Sequence, residues 1–295
     1  MDIGRVVAAG QHRLSNRRVA VICVAGPRSA GRDLVETVRG LGHEAIECSI
    51  GADREWTVGI EKGIEAACRV LQDCDLAVLA ASGHDRLVAE VRSLLRLLGV
   101  RSVGGSGPAN LAALDQQLAK KVLLAEGLAV TSGLTVTSAD EFEQSDLDEA
   151  GLRYPAVVRA AGGAVTTVAD QASLRHLIDT SGEELLVTNT GPGMRFAVAV
   201  LQLPDRSLHA VAAPALADAG LALDLRVTAI EAFQLLRCSG PASIGFIVLG
   251  QGRPIVDSVE VMPDLEVSAL YPRAWTTAGL SYPALVNVLL SAASW

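Results

Sequence analysis

No uninterrupted run of eighteen apolar residues occurs in this chain, so no segment reads as a bilayer span. An excess of positive charge is missing as well. The formal net charge is −8, which argues against a nucleic-acid or anionic-membrane surface. The scattered N-terminal basic residues Arg5, His12, Arg13, Arg17 and Arg18 are followed by no apolar block ending in small residues, so the start is not a secretory signal. Residues 1–17 are expected to form a short disordered leader. Zinc-type cysteine spacing is also lacking: Cys68 and Cys74 lie six apart, and Cys23 falls inside an apolar run. Cys23, Cys48, Cys68, Cys74 and Cys238 are therefore read as reduced thiols of a cytoplasmic protein. Internal repeats and low-complexity linkers are not found.

What is present is a folding composition. Half of the 295 residues are hydrophobic and 20% are charged, and the length calls for two or three sub-domains rather than one core. Arg18 to Val24 is a continuous apolar run, short enough for a buried parallel strand. A loop follows from Ala25 to Gly31, then a helix with Leu34, Val38 and Leu41 on one face, closed by Gly42. His43 to Ile50 and Leu76 to Ala80 read as further strands. Ile60, Ile64, Ala67 and Leu71 mark one amphipathic helix; Leu87, Val91, Leu94 and Leu98 mark another. This βαβ alternation implies an open parallel sheet.

Further along, Leu111, Leu114, Leu118 and Val122 form a helical stripe carrying Lys120 and Lys121, ended by Gly127. Tyr154 to Arg159 and Glu184 to Thr188 read as strands, the first leading into a glycine-containing turn from Ala160 to Thr167. Arg195 to Gln202, Leu208 to Ala212, Ser243 to Leu249 and Ile255 to Val261 are strand candidates. Helices are expected from about Thr228 to Leu236 and from Pro283 to Ala293.

Three segments, in order, resemble D-alanine–D-alanine ligases of the ATP-grasp superfamily. They are Leu94 to Val130, with its Gly-Ser-Gly turn and an Asp five residues before a Lys; Tyr154 to Gly163, similar to a Pro-x-x-x-Lys-Pro strand and the phosphate-covering loop; and Ser258 to Leu290, similar to a Leu-Glu-x-Asn-x-x-Pro-Gly segment and its tail. The resemblance implies an α/β, three-domain ATP-grasp fold. It places an N-terminal parallel α/β domain at 18–117, a central subdomain at 118–190 and a C-terminal subdomain at 191–295. It further implies a homodimer paired through the first domain, for which the leucine-rich stretch Leu87 to Leu98 offers an apolar face.

Such ligases phosphorylate one carboxylate with ATP and let an amine attack the acyl phosphate, with cations on the phosphates and carboxylates on two magnesium ions. By resemblance, Lys120 stands at the first phosphate-binding lysine; read alone, it is equally a solvated helix lysine. Arg159 stands at the second lysine, and Gly162 and Gly163 in the covering loop, completing a residual phosphate site; as residues they read more simply as turn glycines. Thr188 and Asn189 replace the adenine-binding Glu-Lys pair, and Arg195 replaces the ribose-binding glutamate. Ser243 replaces the stabilising arginine, Gly245 one magnesium-binding aspartate and Met262 the magnesium-binding asparagine. Glu260 alone keeps a metal-ligand position. Asp257 is expected to be solvated. Gly31 or Arg32 stands at the first-loop glutamate, and His84 echoes a substrate-loop histidine. The stretch from Leu201 to Gly245 is shorter than in the family.

These departures on separate segments imply a non-catalytic homologue, a scaffold or regulator in a peptidoglycan context, with no catalytic residue assigned and no partner named. An active ATP-dependent carboxylate–amine ligase with altered substrates, using ATP and magnesium, stays open, as does a small-molecule-binding module in the old cleft.

Overall fold

The computed structural model describes residues 3–11, 16–24, 31–51, 53–80, 86–104, 115–136, 142–160, 165–182, 185–189, 193–213, 218–250 and 252–293. Three sheets organise them. The first is six-stranded, from β1 (Arg18–Val24), β2 (Glu44–Ile50), β3 (Trp56–Val58), β4 (Glu61–Lys62), β5 (Leu76–Ala80) and β6 (Arg101–Ser102), in the order β4-β3-β2-β1-β5-β6. Every residue of β5 is buried, as expected of a central strand covered on both faces. β1 runs parallel to β2 and β5, while β3 and β4 add an antiparallel edge.

Helices α1 (Ile3–Gln11), α2 (Arg32–Gly40), α3 (Ile64–Gln72) and α4 (Arg86–Leu97) accompany this sheet. Two expectations change here. Residues 3–11 are helical rather than a disordered leader: Val6 is fully buried and Asn287 donates to the Gly10 carbonyl at 3.0 Å. The leucine-rich stretch is not a free apolar face, because Leu87, Val88, Val91 and Leu95 pack into this chain's own core. Ile60 also departs from its expected helix. Gly63 starts α3 with φ +99°, leaving Ile60 in the preceding turn, wholly exposed.

The second sheet has four strands, β7 (Gly133–Val136), β8 (Ala156–Ala160), β9 (Val165–Val168) and β10 (Leu185–Asn189), ordered β7-β10-β8-β9. Helix α5 (Gln116–Ala125) precedes it, and α6 (Gln144–Glu149) and α7 (Gln171–Ser181) lie within it. Leu147, Leu174 and Ile178 join Val158 and Val187 in a core of its own. The third sheet, β11 (Met194–Gln202), β12 (Leu208–Ala213), β13 (Pro241–Val248) and β14 (Ile255–Glu260), is ordered β12-β11-β13-β14 and packs on α8 (Ala219–Leu235).

The boundary expected at residue 118 falls inside α5, and Ala119 and Leu123 of that helix belong to the third sheet's core. The chain ends in α9 (Leu270–Thr277) and α10 (Tyr282–Ser291). Their Trp275, Leu285 and Leu289 return to the first sheet and join it to Ala199 and Leu201 of β11. Among the described residues no helix is long and apolar enough to cross a membrane.

Candidate functional site

The site is built where α5 meets β14. Asp115 caps α5 by accepting from Leu118 N at 2.9 Å. Gln116 then brackets the backbone of β14: its Nε2 donates to Val259 O at 2.7 Å, and its Oε1 accepts from Val259 N at 3.1 Å. With the helix held this way, Ala119, Lys120 and Leu123 face inward. Leu118 and Val122, the stripe read as the buried face, are 44% and 37% exposed. Lys120 is only 3% exposed, so it is not a solvated helix lysine.

The segment after α5 clips onto the same strand. Val256 N donates to Ala129 O and Thr131 N to Val256 O, both at 2.8 Å. This places the Thr131 hydroxyl between two charges: it accepts from Lys120 Nζ at 2.7 Å and donates to Asp257 Oδ1 at 3.1 Å. Asp257 is positioned by a bulge. Gly245 pairs with Ser258 and Phe246 with Val256, so Asp257 is the extra residue of β14. Its other oxygen accepts from Arg195 Nη1 at 2.7 Å, and its side chain is only 10% exposed. The residue expected to be solvated is therefore the centre of a chain running from Lys120 through Thr131 to Arg195.

Burial pushes Lys120 down to about 8; Asp257 opposes that shift and Arg159 adds to it. Burial raises Glu260, with Arg159 opposing and Asp264 reinforcing the rise. Arg159, half-buried on β8, thus acts on both Lys120 and Glu260, which brings those three predicted site residues into one electrostatic neighbourhood. Its guanidinium makes no hydrogen bond or ion pair among the described residues. Gly162, Gly163 and His84 lie outside the described residues.

The positions that the resemblance assigns to magnesium do not assemble an oxygen cage among the described residues. Ser243 lies opposite Glu260 across β13 and β14 and is 8% exposed. Gly245 brings no side chain, and a Cβ added there would lie 2.4 Å from Ser258 Oγ, so a larger residue requires Ser258 to turn away. Met262 is fully buried and packs with the first sheet's core. A thioether in an apolar core is no partner for a hard cation, which needs several oxygen ligands. Among the described residues no group of three or more His, Cys, Asp or Glu side chains is placed to hold a metal ion. The described residues at these positions do not fit magnesium.

Thr188 and Asn189, which the resemblance sets at an adenine-binding pair, are also engaged elsewhere. Asn189 Oδ1 accepts from Arg153 N at 2.9 Å, its Nδ2 donates to Gly151 O at 3.1 Å, and Thr188 Oγ1 donates to Val157 O at 3.4 Å. Thr131 and the role of Asp257 were missed by sequence reasoning. Thr131 carries no motif, and the bulge that turns Asp257 inward has no signature in an alternating strand pattern.

Comparisons with known proteins agree with this architecture. A family model described as "D-ala D-ala ligase C-terminus" matches residues 204–291. The D-alanine–D-alanine ligase of Mycolicibacterium gilvum (strain PYR-GCK) is 24% identical over 268 residues, spanning 78% of this chain and 72% of that protein. Among solved structures, the D-alanine–D-alanine ligase from Coxiella burnetii superposes with a TM-score of 0.76 at 18% identity and covers 94% of both chains. The Bacillus anthracis ligase complexed with ATP gives a TM-score of 0.76 at 19% identity, covering 94% of this chain and 97% of its own.

Proposed function

We propose that this chain, a divergent D-alanine–D-alanine ligase-like protein with the ATP-grasp fold, serves as a scaffold or regulator without ligase activity. The observation that carries the proposal is the state of the metal positions: Gly245 supplies no ligand, Met262 is committed to a core, and Glu260 remains. Ligase chemistry transfers a phosphoryl group whose charge must be balanced as it moves, and each preorganised electrostatic group is worth about 3–4 kcal/mol of barrier. Arg195 reinforces the reading. Where a carboxylate would accept from ribose hydroxyls, it presents a donor already paired with Asp257. A peptidoglycan context, a cytoplasmic location and a homodimer accompany this proposal.

A second reading, an active carboxylate–amine ligase with other substrates, draws on the gathering of Lys120, Arg159 and Glu260. Phosphate release from ATP and magnesium, measured with and without D-alanine, separates the two. The scaffold reading expects no D-alanine-dependent release above background. Release that rises with D-alanine concentration would replace it with the enzyme reading.

A further inference from the structure

Two amides at the entrance to β1 are held by side chains. Arg17 N donates to His43 Nδ1 at 3.3 Å, and Arg18 N donates to Asp75 Oδ2 at 2.8 Å. One acceptor lies on the β2 side and the other on the β5 side, so the chain is clamped between them where the strand begins. The carbonyls are held as well: Glu44 N donates to Arg17 O at 2.9 Å, and Asp75 N donates to Arg18 O at 2.8 Å. The segment that enters this clamp comes from α1. That helix is fixed at its other side by packing on α10, by the Asn287 bond to Gly10, and by an ion pair of Arg5 with Asp205 in the turn between β11 and β12. It forms a strap over the end of the chain, and the clamp is where the strap is tied to the first sheet.

A neutral imidazole accepts at one nitrogen, whereas an imidazolium has two donors and no acceptor. A proton on His43 Nδ1 therefore sets a donor against the Arg17 N–H and removes that bond. The surroundings oppose the charge. His43 is 6% exposed. Burial, and after it the Arg17 guanidinium, hold the ring below the ordinary 6.5. The carboxylates of this corner are engaged by arginines: Asp75 by Arg17 at 3.3 Å, Glu44 and Asp73 by Arg18 at 3.3 and 3.7 Å, and Glu47 by Arg39 of α2 at 2.9 Å. Asp75 shifts so as to keep its grip. The Arg18 amide holds its carboxyl below the usual carboxylate range, so it stays ionised where His43 gains its proton.

We propose that His43 is an acid-released catch on this strap, which on protonation lets go of the Arg17 amide while Asp75 keeps that of Arg18. The catch holds fully above pH 6.5 and weakens as pH falls from there to the lower value of the folded ring. The test is amide hydrogen exchange of the full chain at about pH 7.5 and about pH 5, each rate divided by that of an unstructured amide at the same pH. Protection of the Arg17 amide is expected to fall at least about threefold at the lower pH, with Arg18 and Ile22 changing less. His43→Asn keeps a side-chain acceptor that takes up no proton in this range, so its Arg17 protection should not change with pH. An NMR titration of the His43 ring in the parent needs no variant, and its midpoint is expected below 6.5. Equal Arg17 protection at both pH values, an equal fall at Ile22, a fall that persists in His43→Asn, or a ring midpoint at or above 6.5 would each overturn the inference.

Discussion

Burial of Lys120 places an ammonium where, among the described residues, Thr131 is its hydrogen-bond partner and Asp257, through Thr131, its nearest counter-charge. The consequence is a pH dependence of definite sign. Its folded value is about 8 against 10.5 for a free lysine, so the unfolded chain holds the extra proton between those limits. The penalty is fully present below about pH 8 and is relieved as pH rises from there toward 10.5. Taking an ammonium out of water costs several kcal/mol, which a single hydroxyl partner offsets only in part; a methionine avoids that cost, and Asp257 keeps its pairing with Arg195. Lys120→Met should therefore equal or exceed the parent in stability at pH 7, with the difference shrinking as pH climbs from 8 to 10. Urea denaturation of both proteins across that range measures it; a difference that grows with pH would contradict the assignment. The residue itself was legible from its place five after Asp115. Its burial was not, because the helical stripe of Leu118 and Val122 pointed to the wrong face.

At the scale of elements, α1 shows how a segment without a sequence signature becomes structured. It has no acidic first turn and no basic last turn, and it is nine residues long, too short to be stable alone. Its helicity comes from packing on α10. Val6 is buried in the first core, and Gly10 lies so close to Ala284 that an added Cβ would sit 2.8 Å from that residue's Cβ. Gly10→Val should force the two helices apart and cost about 1–3 kcal/mol by overpacking, read as a lower urea midpoint with an unchanged slope. A variant as stable as the parent would show that α1 does not dock as described. Strands β1 and β5 and the second half of β11, by contrast, followed directly from apolar runs, since burial on both faces leaves no alternation to misread.

For the whole molecule, the distribution of cores sets what unfolds together. Trp275, Leu285 and Leu289 from the last two helices share one core with β1, β5 and Ala199 and Leu201 of β11, so the first sheet and one face of β11 are stabilised by the same contacts. The central sheet keeps a separate core around Leu147, Val158 and Leu174. Native-state hydrogen exchange should give β1 and β11 a common protection free energy, with β8 and β10 opening at a lower one. Uniform protection across all three sheets would refute this division. The sequence alone determined the ordered α/β elements and the family resemblance, because apolar periodicity and local motifs are properties of neighbouring residues. It also determined that Gly245 and Met262 carry no side-chain oxygen. The tertiary structure decided which carboxylate matters and where Lys120 points. Those depend on a bulge in β14 and on a linker clipped to that strand, which bring Lys120, Thr131, Arg195 and Asp257 together across long stretches of chain that local patterns do not encode.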